Sequence, residues 1–124
     1  MEMNDAVRSL SALAAASRLS VFRLLVQAGS DGMPAGRISE ATGIAPSSLS
    51  FHLKELTHAG LARSRQEGRF VIYTANYETM NALLGYLTDN CCEGQPCLPA
   101  MPRCVPEAKP RINEQESRRQ GKAQ

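Results

Sequence analysis

The stretch IAPSSLSFHLKELTHAGL, residues 44–61, decides the fold of this chain. Within it, Leu49, Leu53 and Leu56 recur at the spacing i, i+4, i+7 and form one apolar stripe of a helix. Pro46 suits the first helical turn, where a missing N–H costs nothing, and Gly60 suits the residue just past the helix end. The opposite side of the helix carries small polar groups, one aromatic ring and one cation, on Ser47, Ser48, Ser50, Phe51 and Lys54. Short polar side chains let the helix backbone come close to the major groove, and the side chains themselves can bond to base edges. We therefore predict that this helix binds DNA, and we call it the recognition helix.

The flanking segments extend the recognition helix into a larger motif. Residues 37–42, RISEAT, form a short helical pattern that Gly43 ends a few residues before the recognition helix begins. After Gly60 the period changes, and residues 61–66 and 69–74 predict two strands around Glu67 and Gly68. The pattern therefore predicts a mainly α fold with a β-hairpin wing, that is, an α+β winged helix-turn-helix.

Three further helices follow from the spacing of apolar residues. Residues 7–16 carry one apolar stripe, and residues 18–27 are apolar almost all round, which predicts an outer helix followed by a buried one. Pro34 is expected to open the short helix of residues 37–42. Residues 77–87 return to a helical period, with Met80, Leu83, Leu84 and Leu87 at i, i+3, i+4, i+7. A last helix this apolar needs a partner.

The segments SxLSFHLKELTHAGL and EGRFVIY resemble the ArsR/SmtB family of bacterial metal-responsive repressors, and the resemblance covers about residues 6–97. In that family the first and last helices pack against their mates across a two-fold axis. The resemblance therefore implies a homodimer with an interface formed by Val7, Leu10, Met80, Leu83, Leu84 and Leu87. Two-fold symmetry in turn implies a palindromic operator in double-stranded DNA, with half-sites about one helical turn apart.

The placement of charge matters more than its total, since the net charge is only +2. Arg63 and Arg65 alternate on the first predicted strand and Arg69 follows the turn, an arrangement that suits a wing holding the DNA backbone. His52 lies at the edge of the leucine stripe. Two roles remain open for it, a packed and hydrogen-bonded residue or a phosphate contact.

Composition indicates one small domain, because 124 residues without tryptophan bury only a modest core, which dimerisation would enlarge. We expect residues 1–90 to form the DNA-binding and dimerisation domain, residues 91–98 a cysteine-rich loop, and the proline-rich, charged residues 99–124 a disordered tail. Neither a basic leader nor a long apolar run is present, so we expect a cytoplasmic protein with no membrane partner.

Three of the four cysteines lie in the segment NCCEGQPC, residues 90–97, where the last helix must end. Cytoplasmic thiols stay reduced, so such a cluster indicates a metal or redox site rather than a disulfide framework. In a non-helical turn Cys91 and Cys92 can converge, and Gly94 and Pro96 would bring Cys97 back towards them. Three soft ligands at this spacing predict a site for a thiophilic ion.

Charge favours a trivalent metalloid in this site. Three thiolates around Zn²⁺ leave a net negative complex, which is unfavourable at the negative end of a helix dipole and beside Asp89 and Glu93. Arsenous acid instead exchanges three hydroxyls for three thiols and gives a neutral, pyramidal site without a fourth ligand. We therefore expect As(III) or Sb(III), held by Cys91, Cys92 and Cys97, to be the inducer, with no organic cofactor.

The resemblance supports this choice with one departure. Many arsenic-responsive members carry a CxC motif on the first helix of the helix-turn-helix, whereas residues 37–42 contain no cysteine. The chain looks instead like the branch whose arsenic site, a CC pair and one further cysteine, follows the last helix.

The sequence leaves several alternatives open. Cys104 could replace Cys97, although a proline-rich segment separates it from the pair. The inducer could be methylarsenite, Cd²⁺, Pb²⁺ or bismuth, and the thiols could instead sense oxidation. A metal-buffering protein would bind the ion without binding DNA. An enzyme is disfavoured, because no nucleophile, base and orienting group converge.

Overall fold

The computed structural model describes residues 1–94, which fold as five α-helices around a small sheet. The helices are α1 (Met3–Leu13), α2 (Ala16–Ala28), α3 (Ala35–Thr42), α4 (Pro46–His58) and α5 (Tyr77–Leu87). The strands are β1 (Met33–Pro34), β2 (Ala62–Glu67) and β3 (Phe70–Ala75), in the antiparallel order β1-β3-β2. The predicted winged helix-turn-helix is confirmed. Cys97, Cys104 and the predicted tail lie outside the described residues.

The helix-turn-helix consists of α3 and α4. Gly43 ends α3 in the left-handed region at φ 76°, and its N–H donates to the Ser39 carbonyl at 2.9 Å. The hydroxyl of Ser39 donates to the carbonyl of Ile44 at 2.6 Å and so fixes the turn between the helices. Pro46 begins α4, as the sequence predicts. These contacts fix the turn that joins α3 to α4.

The core lies between α2, α3 and α4, with the start of β2 beneath them. The predicted stripe of α4 is confirmed, since Leu49, Leu53 and Leu56 are all buried. Val21, Phe22 and Leu25 of α2 face this stripe in one hydrophobic cluster. The prediction that α2 is buried almost all round is only partly right, because its outer side remains exposed.

The sheet contains one strand that the sequence did not predict. Its two residues, Met33 and Pro34, pair with Tyr73 and Ile72 of β3. Pro34 is also the N-cap of α3, so it opens the short helix as predicted, and that helix begins at Ala35. A two-residue strand has no periodicity of its own, and its existence depends on the neighbour it pairs with. The hairpin between β2 and β3 turns at residues 68–69.

The first helix begins and ends earlier than the predicted residues 7–16. Its inward side carries small residues, Ala6, Ser9 and Ala12, and not the apolar stripe. Val7 and Leu10 of that stripe are exposed. The last helix, α5, coincides with the predicted residues 77–87 and is capped by Asn76, whose side chain accepts from the N–H of Thr79.

In the described part of the chain, no single helix is long and apolar enough to cross a membrane. The pair α1 and the helical segment of residues 16–31 reaches the required length only together, and the two are bent by 101°.

Candidate nucleic-acid interface and thiol site

The outer side of α4 presents the residues predicted to bind DNA. Ser47, Ser48, Ser50, Phe51 and Lys54 are all exposed. Phe51 is 54% exposed although it is a large apolar residue. Because the opposite side of α4 is buried in the core, this polar side is held rigidly and faces outward, as insertion into a major groove requires. We call these five exposed residues the recognition side of α4.

His52 differs from its neighbours on α4. Its ring is half-buried, and its Nδ1 lies 3.4 Å from Nη1 of Arg18 on α2. The ring of Phe51 meets it in a T-shaped arrangement with centroids 5.7 Å apart. The structure therefore places His52 in a hydrogen-bonded contact at the edge of the recognition side. Arg18 is 34 positions away along the chain, and no local pattern marks it as a partner.

The three arginines of the wing have different surroundings. Arg65 is held by the protein, because its guanidinium donates to the carbonyl of Ser30 at 3.3 Å, to that of Asp31 at 3.0 Å and to Glu67 at 2.7 Å. Arg63 forms an exposed ion pair at 3.5 Å with a glutamate of α5. Arg69 is exposed at the turn and makes no hydrogen bond or ion pair with residues 1–94. Of the three, Arg69 is the most available to a phosphate.

The predicted dimer residues fall into two groups. Val7, Leu10, Leu84 and Leu87 are between 43% and 55% exposed, so α1 and α5 both present apolar surface to the outside. Leu83, by contrast, is buried within one chain, and Met80 packs against the core cluster. Leu83 and Met80 are thus packed within one chain and do not need a second copy to cover them. The start of α1 and the end of α5 also meet, since the hydroxyl of Tyr86 lies 3.6 Å from the sulfur of Met3.

The cysteine pair follows α5 in a short irregular turn. Cys91 is half-buried and Cys92 is exposed, and their Sγ atoms are 3.7 Å apart. Asn90, Cys92 and Glu93 all have φ between 55° and 58°, so the backbone here is left-handed and the thiols converge as they would not on an α-helix.

This distance fits two ligands of one ion. Two sulfurs bonded to the same ion at about 2.3 Å lie about 3.8 Å apart in a tetrahedral site, and slightly closer in a pyramidal one. No group of three His, Cys, Asp or Glu side chains suited to hold a metal occurs within residues 1–94. The described residues therefore contribute two of the three predicted ligands, and Cys97 lies beyond them.

The recognition helix, its rigid support and the β-hairpin beside it define a winged-helix transcriptional regulator, and comparison with known proteins agrees. Residues 13–65 match the family model described as a helix-turn-helix domain. The HTH-type transcriptional regulator YgaV of Escherichia coli is 30% identical over 88 residues, which cover 71% of this chain and 87% of YgaV. The chain belongs to this family of helix-turn-helix transcriptional regulators, the ArsR family.

Solved structures give the same result. HlyU from Vibrio cholerae is 31% identical with a TM-score of 0.58, over 74% of this chain and 99% of HlyU. Mb0332 from Mycobacterium bovis, described as a homodimeric winged helix-turn-helix DNA-binding domain and a possible ArsR-family regulator, is 27% identical with a TM-score of 0.57, over 78% and 90% of the two chains. A possible transcriptional regulator for arsenical resistance is 28% identical with a TM-score of 0.56, over 66% and 81%.

Proposed function

We propose that this chain is a homodimeric repressor that binds operator DNA when its thiols are empty and dissociates when As(III) or Sb(III) bonds to Cys91, Cys92 and Cys97. One observation carries the proposal. The Sγ atoms of two of these cysteines lie 3.7 Å apart immediately after α5, the helix that exposes an apolar side. The similarity to a possible regulator for arsenical resistance supports it.

The chemistry of the site favours a metalloid. Arsenous acid loses its three hydroxyls as water, each taking the proton of one thiol, and three As–S bonds replace three As–O bonds. The product carries no net charge, so the carboxylates of Asp89 and Glu93 beside the pair do not oppose it. A thiolate complex of a divalent ion would instead add negative charge next to them.

Dimerisation is supported by the apolar surface of α1 and α5. Val7, Leu10, Leu84 and Leu87 would lose solvent contact in a dimer, and the burial of such side chains favours association. The similar Mb0332 domain is homodimeric. Two copies of α4 related by a two-fold axis would then read the two halves of a palindromic operator.

The position of the thiols couples ion binding to the dimer. An ion that joins three cysteines fixes the turn after α5, and the end of α5 contacts the start of α1 through Tyr86 and Met3. A shift of these two helices changes the dimer geometry and with it the distance between the two recognition helices. A coupling free energy of about 1–3 kcal/mol would change operator affinity by about 5- to 150-fold.

The test is fluorescence anisotropy of a labelled duplex that carries the promoter upstream of this chain's own gene, titrated with arsenite under reducing conditions. We expect arsenite to release the native chain and the Cys104→Ser control from the duplex. The Cys92→Ser and Cys97→Ser variants should bind the duplex normally and stay bound. Release of these two variants as well, or no release of the native chain, would contradict the proposal.

A second candidate is a thiol redox sensor, favoured by the exposure of the Cys92 thiol. In this case an oxidant such as a peroxide or a disulfide takes two electrons and two protons from Cys97 and one cysteine of the pair, and an S–S bond forms. Release from the duplex would then require the oxidant, would be reversed by dithiothreitol, and would not respond to arsenite.

A further inference from the structure

A single side chain, Arg18, joins the end of α1 to the recognition helix. Its Nε donates to the carbonyl of Ala12 at 2.7 Å, and its Nη1 lies 3.4 Å from Nδ1 of His52. Arg18 is half-buried near the start of α2 and bonds both neighbours with one planar guanidinium.

The contact with α1 is a helix cap supplied by the next helix. The carbonyls of the last helical turn have no partner within their own helix, and that end of the helix dipole is negative. The last turn of α1 contains no basic residue. Arg18 supplies the missing cation and hydrogen-bond donor. This bond to α1 fixes the guanidinium in the position from which it also contacts His52.

The contact with His52 determines where the imidazole carries its proton. A guanidinium only donates hydrogen bonds and does not lose its proton in a protein, so Nδ1 of His52 must accept. In the neutral ring the proton is therefore on Nε2, which becomes a hydrogen-bond donor. His52 lies one helical turn after Ser48, at the edge of the recognition side, and its Nε2 is the ring nitrogen that Arg18 does not contact.

We propose that Arg18 is a positioning residue for DNA binding, and that it holds His52 as the Nε2–H tautomer that donates to a phosphate oxygen beside the major groove. Contacts at the edge of a recognition helix reach the backbone rather than the bases, and they fix the helix in register. The proposal rests on DNA binding by this chain and is independent of the inducer.

The first experiment reads the tautomer of the native, full-length chain. Long-range ¹H–¹⁵N correlation spectra at pH 8 distinguish Nδ1–H from Nε2–H, and the chain has only two histidines, which a His58→Gln variant assigns. We expect Nε2–H for His52 and a mixture of tautomers in Arg18→Met. Arg23→Met, at an exposed arginine of the same helix, is the matched control and should leave the spectrum unchanged. An Nδ1–H tautomer in the native chain would overturn the proposal even if Arg18→Met does not fold.

The second experiment measures DNA affinity without arsenite. Because a phosphate contact does not depend on sequence, a random duplex at low salt serves as well as the promoter. Arg18→Met and His52→Leu should each weaken binding about tenfold, the size expected for a hydrogen bond to a charged group. The double variant should bind no more weakly than either single one.

The salt dependence separates this contact from a structural role or an ordinary cation. A neutral donor releases no counterion, so the slope of log K against log [salt] should stay the same in His52→Leu. Additive losses in the double variant, or a changed slope, would refute the proposal. A chain that ignores arsenite but passes these tests would lose its proposed inducer and keep the role of Arg18.

Discussion

Gly32 lies directly against strand β3 of the wing, and adding one methyl group there should lower the free energy of unfolding substantially. It precedes β1 with φ 68° and ψ −161°, a backbone conformation essentially restricted to glycine. A Cβ at this position would lie 2.5 Å from the carbonyl oxygen of Tyr73, 2.6 Å from Cγ2 of Thr74 and 2.9 Å from Cγ2 of Ile72. The nearest atom belongs to the backbone of β3, which cannot give way as a flexible side chain can.

The expected loss for Gly32→Ala follows from two contributions. Backbone strain accounts for about 1–3 kcal/mol, and crowding against β3 for about another 1–3 kcal/mol, so the free energy of unfolding should fall by about 4 kcal/mol. Gly43→Ala is the matched control, because Gly43 also has a positive φ of 76° but a Cβ there meets nothing within 4 Å. That variant should cost only about 1 kcal/mol.

Equilibrium urea unfolding at one fixed chain concentration measures both values, since the stability of the proposed dimer would depend on concentration. Gly32→Ala should also weaken DNA binding, because a Cβ that pushes β3 away would disturb its pairing with β1 and displace the wing. Equal losses in the two variants would show that the approach of β3 to Gly32 does not affect stability.

Two further outcomes separate residues that look alike in the sequence. Arg69→Met should reduce the slope of log K for DNA against log [salt] by about 0.9 and leave stability unchanged. Arg65→Met should lower stability and change the slope less than Arg69→Met does, because the guanidinium of Arg65 bonds backbone carbonyls. The same salt slope for both variants would contradict this assignment. Leu87→Asp should convert the proposed dimer to a monomer in sedimentation velocity experiments, and Val71→Asp, at an exposed apolar residue of the wing, should not. A Leu87→Asp chain that remains dimeric would exclude α5 from the interface.

The recognition helix could be predicted closely because its signals are local. The spacing of its leucines, the proline at its first turn and Gly43 before it each depend on neighbours within a few residues, and the structure reproduces all of them. The hairpin is equally local, and its strands shift by only about one residue from the prediction.

What the sequence could not provide depends on contacts between distant residues. Apolar spacing identifies a stripe but not what covers it, so Val7 and Leu10 define a helix without showing that Ala6 and Ala12 form its inner side. The same limit applies to polar partners. Three equivalent wing arginines were predicted, yet Arg65 bonds a loop 34 and 35 positions away. Which cysteines join one ion remains a prediction.

The strand order β1-β3-β2 has a consequence for solubility. It leaves β2 at an edge of the sheet, where one row of backbone N–H and C=O groups is open to pairing with another chain. β2 reads ARSRQE, and every residue after Ala62 is exposed, so two arginines and a glutamate flank that open row. Charged side chains on an edge strand oppose the addition of a further strand, and at the other edge β1 has only two residues to offer as a template. The charges of β2 therefore oppose aggregation, independently of any contact with DNA. Replacing them with apolar β-branched residues would make edge-to-edge pairing between chains easier.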